Sequence, residues 1–341
     1  MKPRFARGVD PVVVAPASDA LLERLAATAE LGAEVERKRM MIIVNPYATT
    51  VSDRLRNLVV YALQGRYEVT TRLTDAKGHA IELCREAAEQ GYDVVVAFGG
   101  DGTVNEAANG LAGSPTALTV LPGGSNNVVA KLLGIPTDVV DATEHLLHMA
   151  DRWAPRPVDL GLVNGRYFTF AAGMGLDASV VERVDRNPRL KKRFGPFYFV
   201  ECAVVTFLRK YVVDPPRLLV SVDGREVGGV SLFVQNAENY TYFNDRPVPL
   251  VEGARFDSGC LAGVVLTRAR PYDVPTVTLR ALSGAARIAK HRGIDAFGAF
   301  GEAVVRSADD RAIPIQVDGD HISDELEARF SVAAGALTVV A

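Results

Sequence analysis

The segment from Asp93 to Leu111 restricts the folds open to this chain more than any other stretch. Val94 to Phe98 is an unbroken apolar run, which is typical of a strand buried on both faces of a sheet. Thr103 to Leu111 carries apolar side chains at helical spacing, with Thr103 placed to cap the helix. Gly99-Gly100-Asp101-Gly102 stands between the two. The segment therefore predicts a strand, a glycine-rich turn and a helix of an open α/β domain.

This glycine-rich turn has the chemistry of a phosphate site. Glycines let backbone N–H groups approach an anion, and the N-terminus of a helix adds partial positive charge. An acidic side chain in such a turn would repel a phosphate, so Asp101 indicates either a Mg2+ ion bound between them or a base that faces an attacking hydroxyl. The alternative is a tight turn in which Asp101 only accepts local N–H groups. The residues alone leave both readings open.

Three further loops follow predicted strands and add polar residues. Open α/β sheets gather ligands at the carboxyl ends of their strands, so we expect the loop from Pro122 to Asn127 to face the same crevice as Asp101. The strands and their loops are Met40 to Val44 followed by Asn45-Pro46, Tyr67 to Leu73 followed by Thr74, and Ala117 to Leu121 followed by Pro122-Gly123-Gly124-Ser125-Asn126-Asn127.

The second half of the chain has a different pattern. Two prolines in Trp153 to Pro157 mark a linker, and Asn164-Gly165 and Asp223-Gly224 are typical of hairpin turns. A largely antiparallel β domain is expected after the α/β domain. Its predicted strands are Asp159 to Val163, Arg166 to Ala171, Arg217 to Val222, Val227 to Gln235, Leu261 to Leu266, Ala303 to Arg306 and Ile313 to Val317, and the chain ends with strands at Ala328 to Val332 and Leu337 to Val340.

Length, charge and cysteine usage narrow the classes of function. A chain of 341 residues is long for one core, and a formal net charge of −3 without long charge blocks gives no reason to expect a nucleic-acid partner. Three scattered cysteines favour a reducing compartment. No apolar run is long enough to span a bilayer, and Met1 to Asp10 lacks the apolar core of a secretion signal. We therefore expect a cytoplasmic protein, either free or peripheral to the inner face of the membrane.

Two segments outside the predicted core suggest contacts with partners. Residues 1–38 include an amphipathic helical pattern behind Ser18-Asp19, which fits packing on its own domain, pairing of two subunits as a homodimer, or contact with a membrane. Arg189 to Phe199 interleaves basic and aromatic residues, as a segment that contacts an anionic membrane does. A basic loop that leads into a buried aromatic helix is the alternative for this second segment.

The motif at the glycine-rich turn resembles that of a known family. Gly99-Gly100-Asp101-Gly102-Thr103, with Asn105-Glu106 and Asn109-Gly110-Leu111, is similar to the diacylglycerol kinase catalytic domain family, which includes diacylglycerol, sphingosine and ceramide kinases. The resemblance implies transfer of the γ-phosphate of ATP, with Mg2+, to a lipid hydroxyl, most simply that of diacylglycerol to give phosphatidic acid. A sphingoid base is the alternative acceptor.

The resemblance also implies a division into domains. With the proline-marked linker, it gives an α/β ATP-binding domain at 39–153 together with about 322–341 and a β-rich lipid-substrate domain at 154–321 with an apolar slot for the acyl chain. Residues 1–38 precede the first predicted strand as an N-terminal extension that matches no motif. NAD kinases share the Gly-Gly-Asp-Gly loop. However, Asp159-Leu160-Gly161 and the late Asp318-Gly319-Asp320 fit the lipid kinases better.

The family pattern, carried over position by position, gives a set of expected site residues. Asp320 stands where the family has the glutamate of an Asp-Gly-Glu motif, which acts as the base, although Asp318-Gly319-Asp320 read alone is a hairpin turn. Asp101 and Asp159 are expected to assist Asp320, and Asp101 to bind the metal. The expected nucleotide-binding residues are Asn45, Pro46, Thr49, Thr74, Gly99, Gly100, Asp101, Gly102, Thr103, Asn105, Glu106, Gly124, Ser125 and Asn127.

Three positions depart from the family pattern. Val128 stands where the family has an aspartate, Ser258 replaces the second acid of an Asp-Asp-Gly turn, and Asp320 is one methylene shorter than glutamate. These departures leave open a second function, a catalytically weak sensor that binds nucleotide or lipid. Turnover separates the two functions, because a sensor produces no ADP.

Overall fold

The computed structural model describes residues 37–48, 51–185, 198, 201–243, 245–283 and 287–341. The N-terminal helix predicted within 1–38, Thr49 and the basic segment at Arg189 to Phe199 lie outside these residues, apart from Arg37, Lys38 and Tyr198. The strands, in chain order, are β1 Arg39–Val44, β2 Glu68–Leu73, β3 Val94–Gly99, β4 Ala117–Pro122, β5 Arg156–Val163, β6 Arg166–Phe168, β7 Ala171–Met174, β8 Leu218–Val222, β9 Arg225–Gly229, β10 Ser231–Gln235, β11 Thr241–Phe243, β12 Arg246–Val248, β13 Leu261–Leu266, β14 Ile294–Phe300, β15 Glu302–Ser307, β16 Ile313–Val317, β17 Asp320–Glu325 and β18 Glu327–Val339.

The helices alternate with strands only in the first half of the described chain, as the sequence predicts for an α/β domain followed by a β-rich one. No helix among the described residues is long and apolar enough to cross a membrane. The α-helices are Asp53–Gln64, His79–Glu89, Asp101–Leu111, Val128–Leu133, Val139–Met149, Leu176–Asp185 and Asp273–Ser283, and a π-helical turn spans Phe207–Tyr211.

The first sheet is parallel at one end, in the order β2-β1-β3-β4. Every residue of β3 and β4 is buried, because helices cover both faces of this part of the sheet, and this explains the unbroken apolar runs. The chain moves outward from β1 to β2 and then crosses back to β3. The carboxyl ends of β1 and β3 therefore flank the switch point at which such sheets bind ligands.

The long strand β18 joins the two parts of the molecule. It pairs antiparallel with β15 over its first residues and with β5 on both sides of a bulge, and its end runs parallel to β4, with Val339 opposite Leu118. The two final strands predicted from the sequence are one strand, interrupted by a bulge between Ala333 and Leu337 that contains Gly335 at φ +61°. The chain thus returns to the first domain within one continuous sheet. The domain boundaries stay a prediction.

The second sheet is antiparallel, in the order β14-β13-β10-β7-β16-β17. Together with the first sheet it encloses an apolar core that includes Phe168, Leu232 and Phe330. The observed architecture confirms the predicted fold class. The sequence missed β11, β12, β14, β17 and helix Asp273–Ser283, and it merged β9 with β10 and β6 with β7.

The break between β6 and β7 has a clear cause in the buried carboxylate of Asp318. Asp318 and Gly319 form the β16–β17 turn, at φ values of 48° and 83°. The Asp318 carboxylate accepts the backbone N–H groups of Thr169, Phe170 and Ala171, the Thr169 hydroxyl and the amide of Asn105, at 2.7–3.1 Å. Burial raises the pKa of Asp318, and these donors oppose that shift. The turn is thereby tied both to β7 and to helix Asp101–Leu111.

We expect Asp318→Asn to lower the free energy of unfolding by about 2–3 kcal/mol, because an amide cannot accept all of these donors. Urea unfolding followed by circular dichroism measures the change. Asp223→Asn is the matched control, since Asp223 also precedes glycine in a hairpin turn at φ 50° but is exposed. Equal stability of the two variants would show that the Asp318 carboxylate contributes nothing beyond turn geometry.

Candidate active site

The two glycine-rich turns lie directly against each other. The N–H of Gly123 donates to the carbonyl of Gly99 at 2.8 Å. A Cβ atom on Gly124 would come 2.8 Å from the Cα of Gly100, and one on Gly123 would come 3.0 Å from the Cα of Gly99. Contacts this close exclude any side chain, so the glycines are required for the approach of the two loops. The surface they form is bare backbone at the carboxyl ends of β3 and β4.

Polar residues at the ends of the neighbouring strands meet this surface. The amide of Asn45, directly after β1, donates to the Thr103 hydroxyl at 3.2 Å. Thr74, directly after β2, is buried and its N–H donates to the carbonyl of Val44. Pro46 continues the loop after Asn45. The structure therefore brings the expected residues of three strands together at one edge of the sheet.

Asp101 begins the helix that follows β3 and points toward the second turn. One of its carboxylate oxygens accepts the N–H of Val128 at 2.7 Å. Burial raises the pKa of Asp101 to about 6, with a further increase from Asp318, while the backbone N–H groups of Val128 and Val129 and the charge of Lys131 lower it. Val128 itself is buried in the core, so this position contributes a backbone donor rather than the acid of the family pattern.

Asp320 lies against the glycine-rich turn although it is far away in the sequence. Its Oδ2 atom would be 3.2 Å from a Cβ atom on Gly102, and the same oxygen lies 3.8 Å from Nζ of Lys77. Both side chains are accessible to solvent. A carboxylate and an ammonium group thus stand at the mouth of the turn that carries Asp101.

Three expected nucleotide ligands have side chains engaged within the protein. Glu106 accepts the N–H groups of Gly78 and Ala80 and so caps helix His79–Glu89. The amide of Asn105 donates to Asp318, and both ends of the Asn127 amide bond the backbone of Gly124. Their contacts fix the positions of the loops. By contrast, Ser125 is exposed on the second turn.

The carboxylate of Asp159 is held by two backbone groups. It accepts the N–H of Gly259 at 2.6 Å and the N–H of Gly335, in the bulge of β18, at 2.8 Å. The side chain is almost fully buried. These contacts stabilise the junction of the two sheets. A role of Asp159 in helping Asp320 to accept a proton stays a prediction.

A polar cluster that sequence reasoning missed adjoins the Asp318-Gly319 turn. The Gln316 amide donates to Asp177 at 2.6 Å and its carbonyl accepts the N–H of Gly319 at 2.9 Å, while the Tyr240 hydroxyl donates to Asp177. Burial raises the pKa of Asp177 to about 6, and burial with the charge of Asp177 also raises the pKa of Tyr240. The only signal of this cluster in the sequence is an acid just after Gly173-Met174-Gly175.

The β11–β12 hairpin covers the second glycine-rich turn. Asn126 donates to the Thr241 hydroxyl at 3.1 Å, and Nζ of Lys131 lies 2.8 Å from Asp245 and 5.0 Å from the ring centre of Tyr242. The hairpin therefore holds a cation next to Asp101, and the β-rich part of the chain forms one wall of the site.

Known proteins match most of this chain in sequence. Residues 39–163 match the diacylglycerol kinase catalytic domain. The chain is 30% identical over 256 residues to the diacylglycerol kinase of Bacillus subtilis (strain 168), with 72% of this chain and 80% of that protein covered. It is 33% identical over 259 residues to the diacylglycerol kinase of Staphylococcus saprophyticus, with 73% and 79% covered.

Solved structures agree on the fold. The crystal structure of a diacylglycerol kinase from Bacillus anthracis str. Sterne superposes with a TM-score of 0.68 at 21% sequence identity, over 90% of this chain and 98% of that chain. At this identity the superposition supports the fold alone. The assignment to a family therefore rests on the relatives that match in sequence. The chain belongs to the diacylglycerol kinase catalytic domain family, whose members are ATP-dependent lipid kinases.

Proposed function

We propose that this protein transfers the γ-phosphate of ATP to the hydroxyl of diacylglycerol, giving phosphatidic acid and ADP. One observation carries the proposal: the Asp320 carboxylate stands 3.2 Å from the Cβ position of Gly102, beside the turn that carries Asp101. A phosphate held by the turn would then lie next to a carboxylate able to accept a proton. The names of the related proteins support diacylglycerol as the acceptor.

The nucleotide side is formed by backbone. The N–H groups at the start of helix Asp101–Leu111 and the bare surface of the two glycine-rich turns suit phosphate oxygens, and Ser125 offers an exposed hydroxyl. Asn45 and Thr74 border this surface. ATP would extend from the turns along the ends of β1 and β2.

The residues present fit Mg2+ bound together with ATP. Among the described residues no group of three or more histidine, cysteine or acidic side chains could hold a metal ion by itself. Mg2+ commonly uses one or two carboxylates with substrate phosphates and water, and Asp101 is a carboxylate whose charge is poorly compensated. Asp101 would hold the ion, which supplies charge neutralisation on the phosphates.

The acceptor side requires a base in line with the transferred group. The lipid hydroxyl oxygen forms a bond to the γ-phosphorus, the bond from phosphorus to the bridging oxygen of ADP breaks, and the hydroxyl proton passes to the Asp320 carboxylate. Nζ of Lys77 lies 3.8 Å from the Asp320 carboxylate in the free protein, so this ammonium group would also face a phosphate bound beside Asp320. Contact with an anionic membrane and pairing of subunits stay predictions.

Lipid-dependent release of ADP tests the proposed function. The protein is incubated with Mg-ATP and mixed micelles that contain diacylglycerol, a sphingoid base or no lipid. Release that depends on diacylglycerol is expected. Release that depends on the sphingoid base alone would contradict the proposed acceptor, and ATP binding without release in any micelle would favour the sensor.

We expect Asp320→Asn to lower kcat by about 100-fold or more while ATP binding is retained, because general base catalysis typically contributes about 10²–10⁴-fold. Asp320→Glu restores the carboxylate of the family pattern and should keep most of the activity. Steady-state kinetics with diacylglycerol micelles and calorimetric ATP titration measure the two properties. Unchanged kcat in Asp320→Asn would exclude Asp320 as the base.

Gly102→Ala tests the contact between the turn and the base. The added Cβ would press on the Asp320 oxygen, and a shift of the base should lower kcat by about tenfold or more with little effect on ATP affinity. Gly228→Ala in β9 is the matched control, because no atom lies within 4 Å of its Cβ position. Equal activity of both variants would contradict the close approach.

The raised pKa of Asp177 predicts how stability depends on pH. The pKa of Asp177 in the folded protein, about 6, exceeds the ordinary value of 3.8. The contribution of Asp177 to the free energy of unfolding is therefore fully present below about pH 3.8 and is lost as pH rises through about 6. We expect the stability of the native protein relative to Asp177→Asn to fall by at most about 3 kcal/mol between pH 4 and 7. Urea unfolding at several pH values measures it, and a difference independent of pH would contradict the raised pKa.

A further inference from the structure

One surface of the β-rich part is strongly basic although the chain as a whole has a net charge of −3. Between residues 268 and 292 the only acid is Asp273, which is buried. We call the basic side chains of this segment the arginine patch. It consists of Arg268, Arg270, Arg280, Arg287, Lys290 and Arg292.

Most of the charge of the arginine patch is not neutralised by acids. Arg287 pairs with Glu252 at 3.1 Å, and Arg292 lies 3.7 Å from Asp273. Within the part of the chain that the structure describes, Arg268 and Lys290 are exposed and make no ion pair. The patch therefore retains a positive potential available to an external anion.

Apolar side chains are exposed within the same patch. Tyr272 directly precedes helix Asp273–Ser283, and Thr276, Leu279 and Ser283 follow it on the exposed face of this helix at helical spacing. Leu279 is 65% exposed and Tyr272 is 45% exposed. Arg270 donates to the Tyr272 hydroxyl and Arg292 lies 4.7 Å from its ring centre, so cations surround the aromatic ring.

One apolar cluster connects the patch with the polar cluster around Asp177. Val277 and Ile288, beneath the patch, pack in the apolar cluster that also contacts Tyr240, whose hydroxyl donates to Asp177. The residues of this cluster lie on the face of the second sheet that points away from the core between the sheets.

We propose that the arginine patch docks the enzyme on a bilayer that contains anionic lipids. A protein surface that binds an anionic membrane typically combines two kinds of side chain. Its cations contact lipid phosphates, and its apolar side chains enter the headgroup region. A nucleic-acid partner would not favour an exposed leucine at the centre of the patch. The inference relies on the membership in a lipid kinase family, and not on which lipid is the acceptor.

Flotation with phospholipid vesicles tests the proposal without ATP or diacylglycerol. The full chain should float with vesicles of phosphatidylcholine mixed with phosphatidylglycerol and much less with phosphatidylcholine alone. Arg268→Gln with Lys290→Gln should weaken this binding by about ten- to thirty-fold, since each cation near an anionic surface contributes about a factor of five. The matched control is Arg306→Gln with Arg329→Gln, which removes two exposed cations from β15 and β18.

The apolar contribution has its own variant. Leu279→Gln should weaken vesicle binding, whereas Leu326→Gln, at a position that is 54% exposed in the β17–β18 turn, should leave it unchanged. Equal binding by the patch and control variants would overturn the proposal. Vesicle binding unchanged by the patch variants, with loss of RNA binding instead, would assign the patch to a polyanion and also overturn it.

The activity of the patch variants separates this inference from the proposed function. Turnover of short-chain diacylglycerol dispersed in detergent should be the same for all variants and the native chain. Vesicle binding without any turnover would contradict the proposed function alone. If the patch variants lose turnover in detergent as much as they lose vesicle binding, the substitutions disturb the active site itself. That result would overturn the proposal that the patch acts by docking on the membrane.

Discussion

The buried carboxylate of Asp318 is the interaction on which the arrangement of the site depends. It accepts the N–H groups at the start of β7 and the amide of Asn105 in the helix after the first glycine-rich turn. Because a buried carboxylate must be satisfied by donors, these elements cannot separate without leaving it unpaired. The turn that carries Asp320 is therefore fixed against the turn that carries Asp101. The same contacts join the parallel and the antiparallel parts of the chain.

The electrostatics of the site follow from the same arrangement. Asp101 and Asp177 are carboxylates whose pKa values burial raises to about 6, and the accessible Asp320 lies against Gly102, the residue after Asp101. Lys131 and Lys77 are placed next to the first and the last of these acids. Such a surplus of negative charge would not stabilise a fold. It suits a site that receives a cation together with a nucleotide and then accepts a proton.

The fold and the first half of the site could be predicted from the sequence because their signals are local. The apolar run of β3 followed by glycines predicts both a strand and a turn, and the late Asp-Gly-Asp motif predicts a hairpin turn. The roles of Asn105 and Glu106 could not be predicted, since a family motif does not tell whether a side chain binds a ligand or supports a loop. Asp177 and Gln316 were missed because only the tertiary fold brings them together. The bulge at Gly335 was missed for the same reason.

A crystal structure with Mg2+, a non-hydrolysable ATP analogue and diacylglycerol would show where both substrates lie relative to Asp101 and Asp320. We expect the γ-phosphate over Gly99 to Gly102, with the ion on Asp101 and the lipid hydroxyl between the γ-phosphorus and the Asp320 carboxylate. A nucleotide whose phosphates lie away from this turn, or an acceptor hydroxyl out of reach of Asp320, would contradict it.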